Sequence, residues 1–354
     1  MNAMLRNGIR DLFPGYFALV MATGIVSIAA HLLGAEPVAR LLFGVNLAAY
    51  AVLWVLVAMR VTRFFPHVRT DLTDYARGPG FFTMVAGTCV LGSQFVILVG
   101  DSATATALWL LGLALWLFLI YAFFAAMATR STPKPALETG IGGAWLIAVV
   151  ATQSVSVLGT LLASRFEARQ EVLFFTLTMY LLGCMLYILI IALIFYRLLF
   201  FKVEPQALTP PYWVSMGAAA ITTLAGATLM LNAGQWPFLE ELLPFLKGFT
   251  LFYWASATWW IPLLVILGAW RHLYRRVPLS YDPQYWSLVF PLGMYTTCTF
   301  QLARALGLEF LFLIPRLFIF VALAAWLATF AGLLHRLFSH LIVSVRAMHL
   351  SHEP

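Results

Sequence analysis

Apolar residues run in ten long blocks along the 354 residues, near 13–33, 41–59, 79–99, 105–128, 140–162, 172–196, 212–231, 249–269, 284–306 and 311–334. Each block is close to the roughly 20 residues a helix needs to cross a hydrocarbon core of about 30 Å. Blocks of this length are too long for barrel strands, so helices satisfy the backbone. The blocks also alternate in kind. Gly, Ser, Thr, Asn and Gln total 33 in the odd-numbered blocks and 13 in the even-numbered ones. The pattern predicts an all-α integral membrane protein of ten transmembrane helices, arranged as five helical hairpins. Small residues let helices approach closely and hydroxyls bond across helices, or polar atoms line a hydrated path. Both causes put odd helices inside and even helices outside, and spacing alone does not choose between them.

The blocks consume most of the chain, which leaves one transmembrane domain over 1–354. Charged residues make up 10% of it and hydrophobic ones 62%, where a soluble protein carries roughly 25% charged residues. The formal charge is +7. With a cytoplasmic N-terminus, 15 of the 21 basic residues fall on cytoplasmic segments, from Arg6 and Arg10 to Arg336 and Arg346. The positive-inside rule then predicts a multi-pass protein of the plasma (inner) membrane with both termini cytoplasmic. The basic loops serve orientation, and no nucleic-acid partner is expected. The first block exceeds a signal h-region and lacks a cleavage site, so it is read as a retained helix. The longest cytoplasmic connection is expected over about 61–78, with Arg63, Arg69, Asp71, Asp74 and Arg77.

Within the odd blocks the polar residues fall on faces. In the ninth, Phe290, Gly293, Thr297, Gln301 and Arg304 lie within about 80° of one another. Phe290 is the bulky member, and Pro291 behind it removes a backbone bond and invites a kink. The ring is either a constriction on a path or an ordinary packed aromatic. The first block carries Thr23, Gly24 and Ser27, with His31 a turn further on. The third carries Thr83, Gly87 and Gln94. Thr152, Ser156 and Gly159 mark the fifth, and Ser215, Thr222 and Gly226 the seventh. Together with Gly293, Thr297 and Gln301 these are the candidate lining residues. Arg304 sits at the outer end, where it either attracts anions or pairs with Glu309.

No Asp or Glu lies in the middle of any block, whereas proton-driven pumps and sodium symporters usually keep an intramembrane carboxylate or His. Glu138, Glu171, Glu309 and His31 lie near interfaces and read as end charges. A neutral path with basic mouths favours small anions. No phosphate-binding loop, paired mid-span histidines or protease constellation is present, so no enzyme activity, cofactor or metal is expected. Cys89, Cys184 and Cys298 are read as free buried thiols, and His335, His340, His349 and His352 as solvated end residues.

Phe13-Pro14-Gly15-Tyr16-Phe17 followed by Val20-Met21-Ala22-Thr23-Gly24-Ile25 resembles the opening signature of the tellurite-resistance/C4-dicarboxylate transporter family. That family includes plant guard-cell slow anion channels, fungal malate transporters and sulfite efflux pumps. Tyr285-Trp286 with Phe290-Pro291 resembles its ninth-helix segment. The resemblance implies an inner pore ring of odd helices, an outer ring of even helices, and a homotrimer with one pore per subunit. It also implies that Phe290 occludes the pore. The chain departs from relatives in having only Pro291 clearly interior to an odd block, with glycines left to supply bends. The expected function is an anion channel or facilitator with an aromatic gate. The alternative is a proton-coupled exporter of dicarboxylate, sulfite or a tellurium oxyanion.

Overall fold

The computed structural model describes the backbone of residues 3–130 and 133–350, and side chains over 6–130 and 133–339. Among the described residues there is no β-strand. The ten long helices are α1 (Ala18–Leu32), α2 (Glu36–Leu72), α3 (Phe82–Gln94), α4 (Ser102–Thr129), α5 (Ile147–Leu162), α6 (Arg169–Phe200), α7 (Val214–Leu231), α8 (Leu243–Ala269), α9 (Trp286–Leu306) and α10 (Leu313–Leu350). All of them except α9, taken with adjoining turns, are long and apolar enough to cross a membrane, which makes nine candidate spans among the described residues. The expected span 284–306 is the 21-residue helix α9, but its Thr, Gln and Arg content keeps it out of that set. It tolerates those residues because α1, α7 and α10 pack around it.

Burial follows the alternation in the sequence. The apolar stretch is 72–94% buried in α1, α3, α5 and α7, and 17–44% buried in α2, α4, α6, α8 and α10. Each odd helix packs against the even helix that follows it, giving five hairpins. The odd helices also contact one another in a closed cycle: α1 on α3, α3 on α5, α5 on α7, α7 on α9, and α9 back on α1. Fifteen of the 21 residues of α9 are buried, Phe290 among them. The exposed side chains of the even helices are large and apolar, such as Phe118, Phe174 and Phe320, as an outer layer facing lipid requires.

All five odd helices open with a 3-10 turn: Pro14–Phe17, Gly78–Phe81, Gly143–Leu146, Pro210–Trp213 and Pro283–Tyr285. Proline suits such a start because its missing N–H has no intrahelical partner to lose. These turns also touch in a closed cycle, so the odd helices run parallel and begin at one end of the bundle. Glycine is what lets the turns meet. A Cβ on Gly80 would stand 2.8 Å from the backbone nitrogen of Gly15, and one on Gly143 would strike the carbonyl of Pro211.

Two helices outrun their expected limits. α2 continues to Leu72 through a kink at Phe64 (φ −137°, ψ 35°), just before Pro66. Part of the segment expected as a loop over 61–78 is therefore helix. It is anchored because Asp71 accepts from Arg60 and Arg77 at 2.5 and 2.7 Å. Arg60 also donates to the carbonyl of Arg10, which ties in the N-terminal segment. α10 likewise runs well past 334, to Leu350.

Candidate functional site

Two cavities lie on the axis of the inner cycle. Toward the far ends of the inner helices is an axial cavity of about 30 Å³, lined by side chains from all five. Its lining repeats at steps of three or four residues: Ile25 and Ile28 on α1; Val90 and Ser93 on α3; Ser154, Val157 and Leu161 on α5; Ile221, Leu224 and Thr228 on α7; Met294, Thr297 and Gln301 on α9. That volume accommodates little more than a water or two. At the end where the helices begin is a vestibule of about 270 Å³. Each 3-10 turn contributes to its wall, through Gly15, Gly80, Gly143, Pro211 and Gln284.

On α9, Ser287 lines the vestibule and Met294 lines the axial cavity. Phe290 lies between them in sequence and has 0% exposure. At 1.5 Å and 100° per residue, Phe290 stands about 4.5 Å beyond Ser287 and about 6 Å short of Met294 along the helix. Ser287, Phe290, Met294, Thr297 and Gln301 share one face about 80° wide. Behind that face, Pro291 packs so close to Gly217 of α7 that a Cβ there would sit 2.7 Å from its ring.

The lining is electrically sparse. Among the described residues no acidic or basic side chain lines the axial cavity. Its hydroxyls are turned to their own helices: Ser93 donates to Cys89, Ser154 to Val150, Thr228 to Leu224 and Thr297 to Gly293, at 2.7–3.1 Å. Each hydroxyl proton is engaged there, and it reaches a solute on the axis only by rotating away from its carbonyl. Among the described residues the vestibule wall carries one charge, the guanidinium of Arg197. Arg197 donates to the carbonyl of Ile141 at 2.6 Å and to the Tyr212 hydroxyl. Both acceptors are neutral, and no ion pair forms at Arg197 among the described residues.

Of the expected lining residues, Thr297 and Gln301 border the axial cavity. The structure places many of the others on seams between helices, which corrects the expected face. Thr23 accepts from the indole of Trp326 on α10, and Thr152 from that of Trp116 on α4, both at 2.9 Å. Ser27 donates to the carbonyl of Ala39 and Ser156 to that of Thr176, both at 2.7 Å and both on outer helices. Gln94 pairs with Asn46 of α2 at 2.6 Å. Gly24, Gly159 and Gly226 give room to Asn46, Trp109 and Thr250 of outer helices, while Gly87 and Gly293 admit α1. Thr83 and Thr222 donate to carbonyls of their own segments, Gly80 and Ala218. The Ser215 hydroxyl is buried without a partner, and its carbonyl accepts from Tyr187. In an apolar surround a hydroxyl and an indole N–H satisfy each other. The polar stripe therefore knits inner to outer helices, and the axial face lies a fraction of a turn around.

A family profile for the voltage-dependent anion channel, SLAC1, matches residues 11–334. The chain belongs to that family. An uncharacterized transporter of Methanocaldococcus jannaschii is 21% identical over 343 residues, covering 95% of this chain and 97% of its own. A sulfite efflux pump of Arthroderma benhamiae is 24% identical over 358 residues, covering 91% and 90%. An uncharacterized membrane protein of Mycobacterium tuberculosis is 41% identical over 164 residues, which is 46% of this chain and 83% of that one. The SLAC1-family chain is thus a multi-pass membrane anion transporter.

In this SLAC1-family bundle the charges flagged from sequence sit at the ends. Arg304 is exposed and donates to Gln301 at 3.2 Å, with no ion pair to Glu309 among the described residues. His31 pairs with Glu36, which also holds Arg40. Glu138, Glu171 and Glu309 line neither cavity. Cys89, Cys184 and Cys298 are free and buried. The side chains of His340, His349 and Arg346, and the whole of His352, lie outside the described residues. Sequence reasoning missed Ser93, Ser154, Thr228 and Arg197. The hydroxyls differ from the seam set only in angular position, and Arg197 reads from sequence as one more orienting charge.

Proposed function

We propose that this chain is a passive anion channel or facilitator, whose path runs from the vestibule past Phe290 into the axial cavity and out beside Gln301 and Arg304. The observation that carries the reading is the charge around the vestibule. Five parallel inner helices begin there, each start carrying about +0.5 elementary charge, and Arg197 adds a guanidinium with no carboxylate against it. Such a wall concentrates anions and repels cations. Beyond it the path is neutral, so ions are sorted by the cost of shedding water rather than by a fixed charge. Phe290 is the gate that closes the path between the two cavities, and Pro291 behind it is the joint that lets the ring move. The protein acts in the plasma (inner) membrane with cytoplasmic termini, as a homotrimer with one path per subunit.

The alternative, proton-coupled export of dicarboxylate, sulfite or a tellurium oxyanion, draws on the name of the sulfite efflux pumps. It needs a titratable relay on the path, and among the described residues no carboxylate or histidine lines either cavity. The deciding experiment uses proteoliposomes of the full chain with chloride, nitrate, sulfite and malate. Facilitation predicts uptake that follows the anion gradient and membrane potential with no pH gradient. Uptake only when a pH gradient is imposed establishes the exporter instead.

A further inference from the structure

Beside the vestibule, and outside the axis, a cleft of about 290 Å³ opens between the end of α8 and the 3-10 turn that leads into α7. Leu264, Leu267, Leu279 and Leu288 give it apolar walls. Arg271 and His272 mark its polar end, in the π-helical turn Trp270–Tyr274. One nitrogen of Arg271, Nη1, donates to the carbonyl of Leu208 at 2.8 Å. The Nε of Arg271 is shielded from solvent and has no hydrogen-bond partner. No carboxylate pairs with Arg271 among the described residues. His272 is held by the carbonyl of Val277 at 2.9 Å. A second groove, of about 450 Å³, adjoins the first, shares Leu208 and Leu267 with it, and is lined by apolar side chains alone, from Phe195 of α6 to Ile266 of α8.

A guanidinium on the cleft wall that is short of hydrogen bonds and faces no carboxylate calls for an acceptor, and a charged acceptor gains most. Two apolar grooves on lipid-facing helices call for hydrocarbon, because water filling grooves of that size against apolar walls is unfavourable. The geometry points to a binding site for one anionic phospholipid, with its phosphate at Arg271 and its acyl chains in the two grooves. A free inorganic anion satisfies the guanidinium and leaves the grooves unfilled, and zwitterionic lipid fills the grooves without the net charge. Basic clefts between membrane helices near the interface are the physical setting for such recognition. The site also touches the proposed path. Thr209 and Tyr212 line both the cleft and the vestibule, and the Tyr212 hydroxyl accepts from Arg197. A bound lipid therefore braces the segment that holds the vestibule's one charge.

The test uses the full-length protein, stripped of lipid in detergent and then equilibrated with vesicles of phosphatidylcholine alone or doped with phosphatidylglycerol. Co-purifying lipid is read by mass spectrometry, and thermal stability is read alongside. Wild type should retain phosphatidylglycerol in preference to phosphatidylcholine and melt higher with it. Arg271→Gln should cut that preference about tenfold, and Arg271→Lys should restore part of it. Leu267→Trp, which fills the shared groove and leaves the guanidinium in place, should lower retention of both lipids and covers the case of a poorly folding Arg271 variant. Arg276→Gln, outside the cleft, should change nothing. Equal retention of the two lipids by wild type, or full displacement of phosphatidylglycerol by inorganic phosphate, overturns the proposal. So does an Ile266→Cys variant that cross-links to a second copy while carrying no lipid. Lipid retention needs no transport, so this result and the anion-path result fail independently.

Discussion

Replacing Phe290 with alanine tests the proposed gate, a ring set on α9 between a residue of the vestibule wall and one of the axial cavity. The ring is fully buried, and Ser287 and Met294 on either side of it line the two spaces. For an anion to pass, the ring must leave its packed position. Giving up the burial of a Phe side chain costs about 1.5–3 kcal/mol, and an off-rotamer pose adds about 0.5–1.5 kcal/mol. A total of about 2–4.5 kcal/mol means an open state populated at roughly 1 part in 30 to 1 in 1,600, since each 1.4 kcal/mol is about tenfold. Phe290→Ala removes that cost, so chloride efflux from proteoliposomes should rise about 30- to 1,600-fold. Phe290→Leu should fall between the two. The alanine variant should also lose stability, toward the low end of the 3–5 kcal/mol typical of Phe→Ala, because the space joins two existing cavities instead of forming a sealed void. A variant that is destabilised as expected yet conducts within about twofold of wild type refutes the gate, and marks Phe290 as a packing residue.

Four further outcomes follow from the geometry. Arg197→Gln should slow anion uptake about tenfold at low ionic strength, with the difference shrinking as salt screens the vestibule, while Arg197→Lys keeps most of the rate; initial rates against ionic strength check this. Thr152→Val breaks the seam bond from Trp116 and should cost about 1 kcal/mol of stability without altering anion preference, whereas Thr297→Val, on the axial wall, should alter preference; thermal melts and bi-ionic currents separate the two. With no carboxylate, histidine, lysine or arginine on the axial cavity, flux should vary less than about twofold between about pH 5.5 and 8, and a tenfold slope in liposome assays points back to proton coupling. Asp71→Ala leaves Arg60, 5% exposed, without its carboxylate and should cost about 3–5 kcal/mol, read as a lower melting temperature.

The layered architecture was legible because burial and composition share a cause: helices enclosed by other helices need small residues and hydroxyls, and helices in lipid do not. The direction of those hydroxyls was not legible. Thr23 and Thr297 look alike in sequence, yet the Thr23 partner is Trp326, 303 residues away, while Thr297 bonds to its own helix and borders the cavity. Only knowledge of where the outer tryptophans point distinguishes seam from axis. The end of α2 has the charge pattern of a loop, but Arg60, Asp71 and Arg77 satisfy one another and let the helix continue. Arg197 looks in sequence like one more orienting charge, since nothing local to it shows that Ile141 and Tyr212 close around it. The ninth-helix pair Phe290-Pro291 reads in sequence as a bulky ring beside a joint, and the structure adds that the ring is fully buried, with Ser287 and Met294 on either side of it reaching the two cavities.

The most direct measurement is the reversal potential of the Phe290→Ala protein in a planar bilayer under a potassium chloride gradient. A path that starts at five helix N-termini and Arg197 and crosses a neutral axis should give a current that reverses at the chloride equilibrium potential. Reversal at the potassium potential, or no current above that of the wild type, contradicts an anion path along this axis.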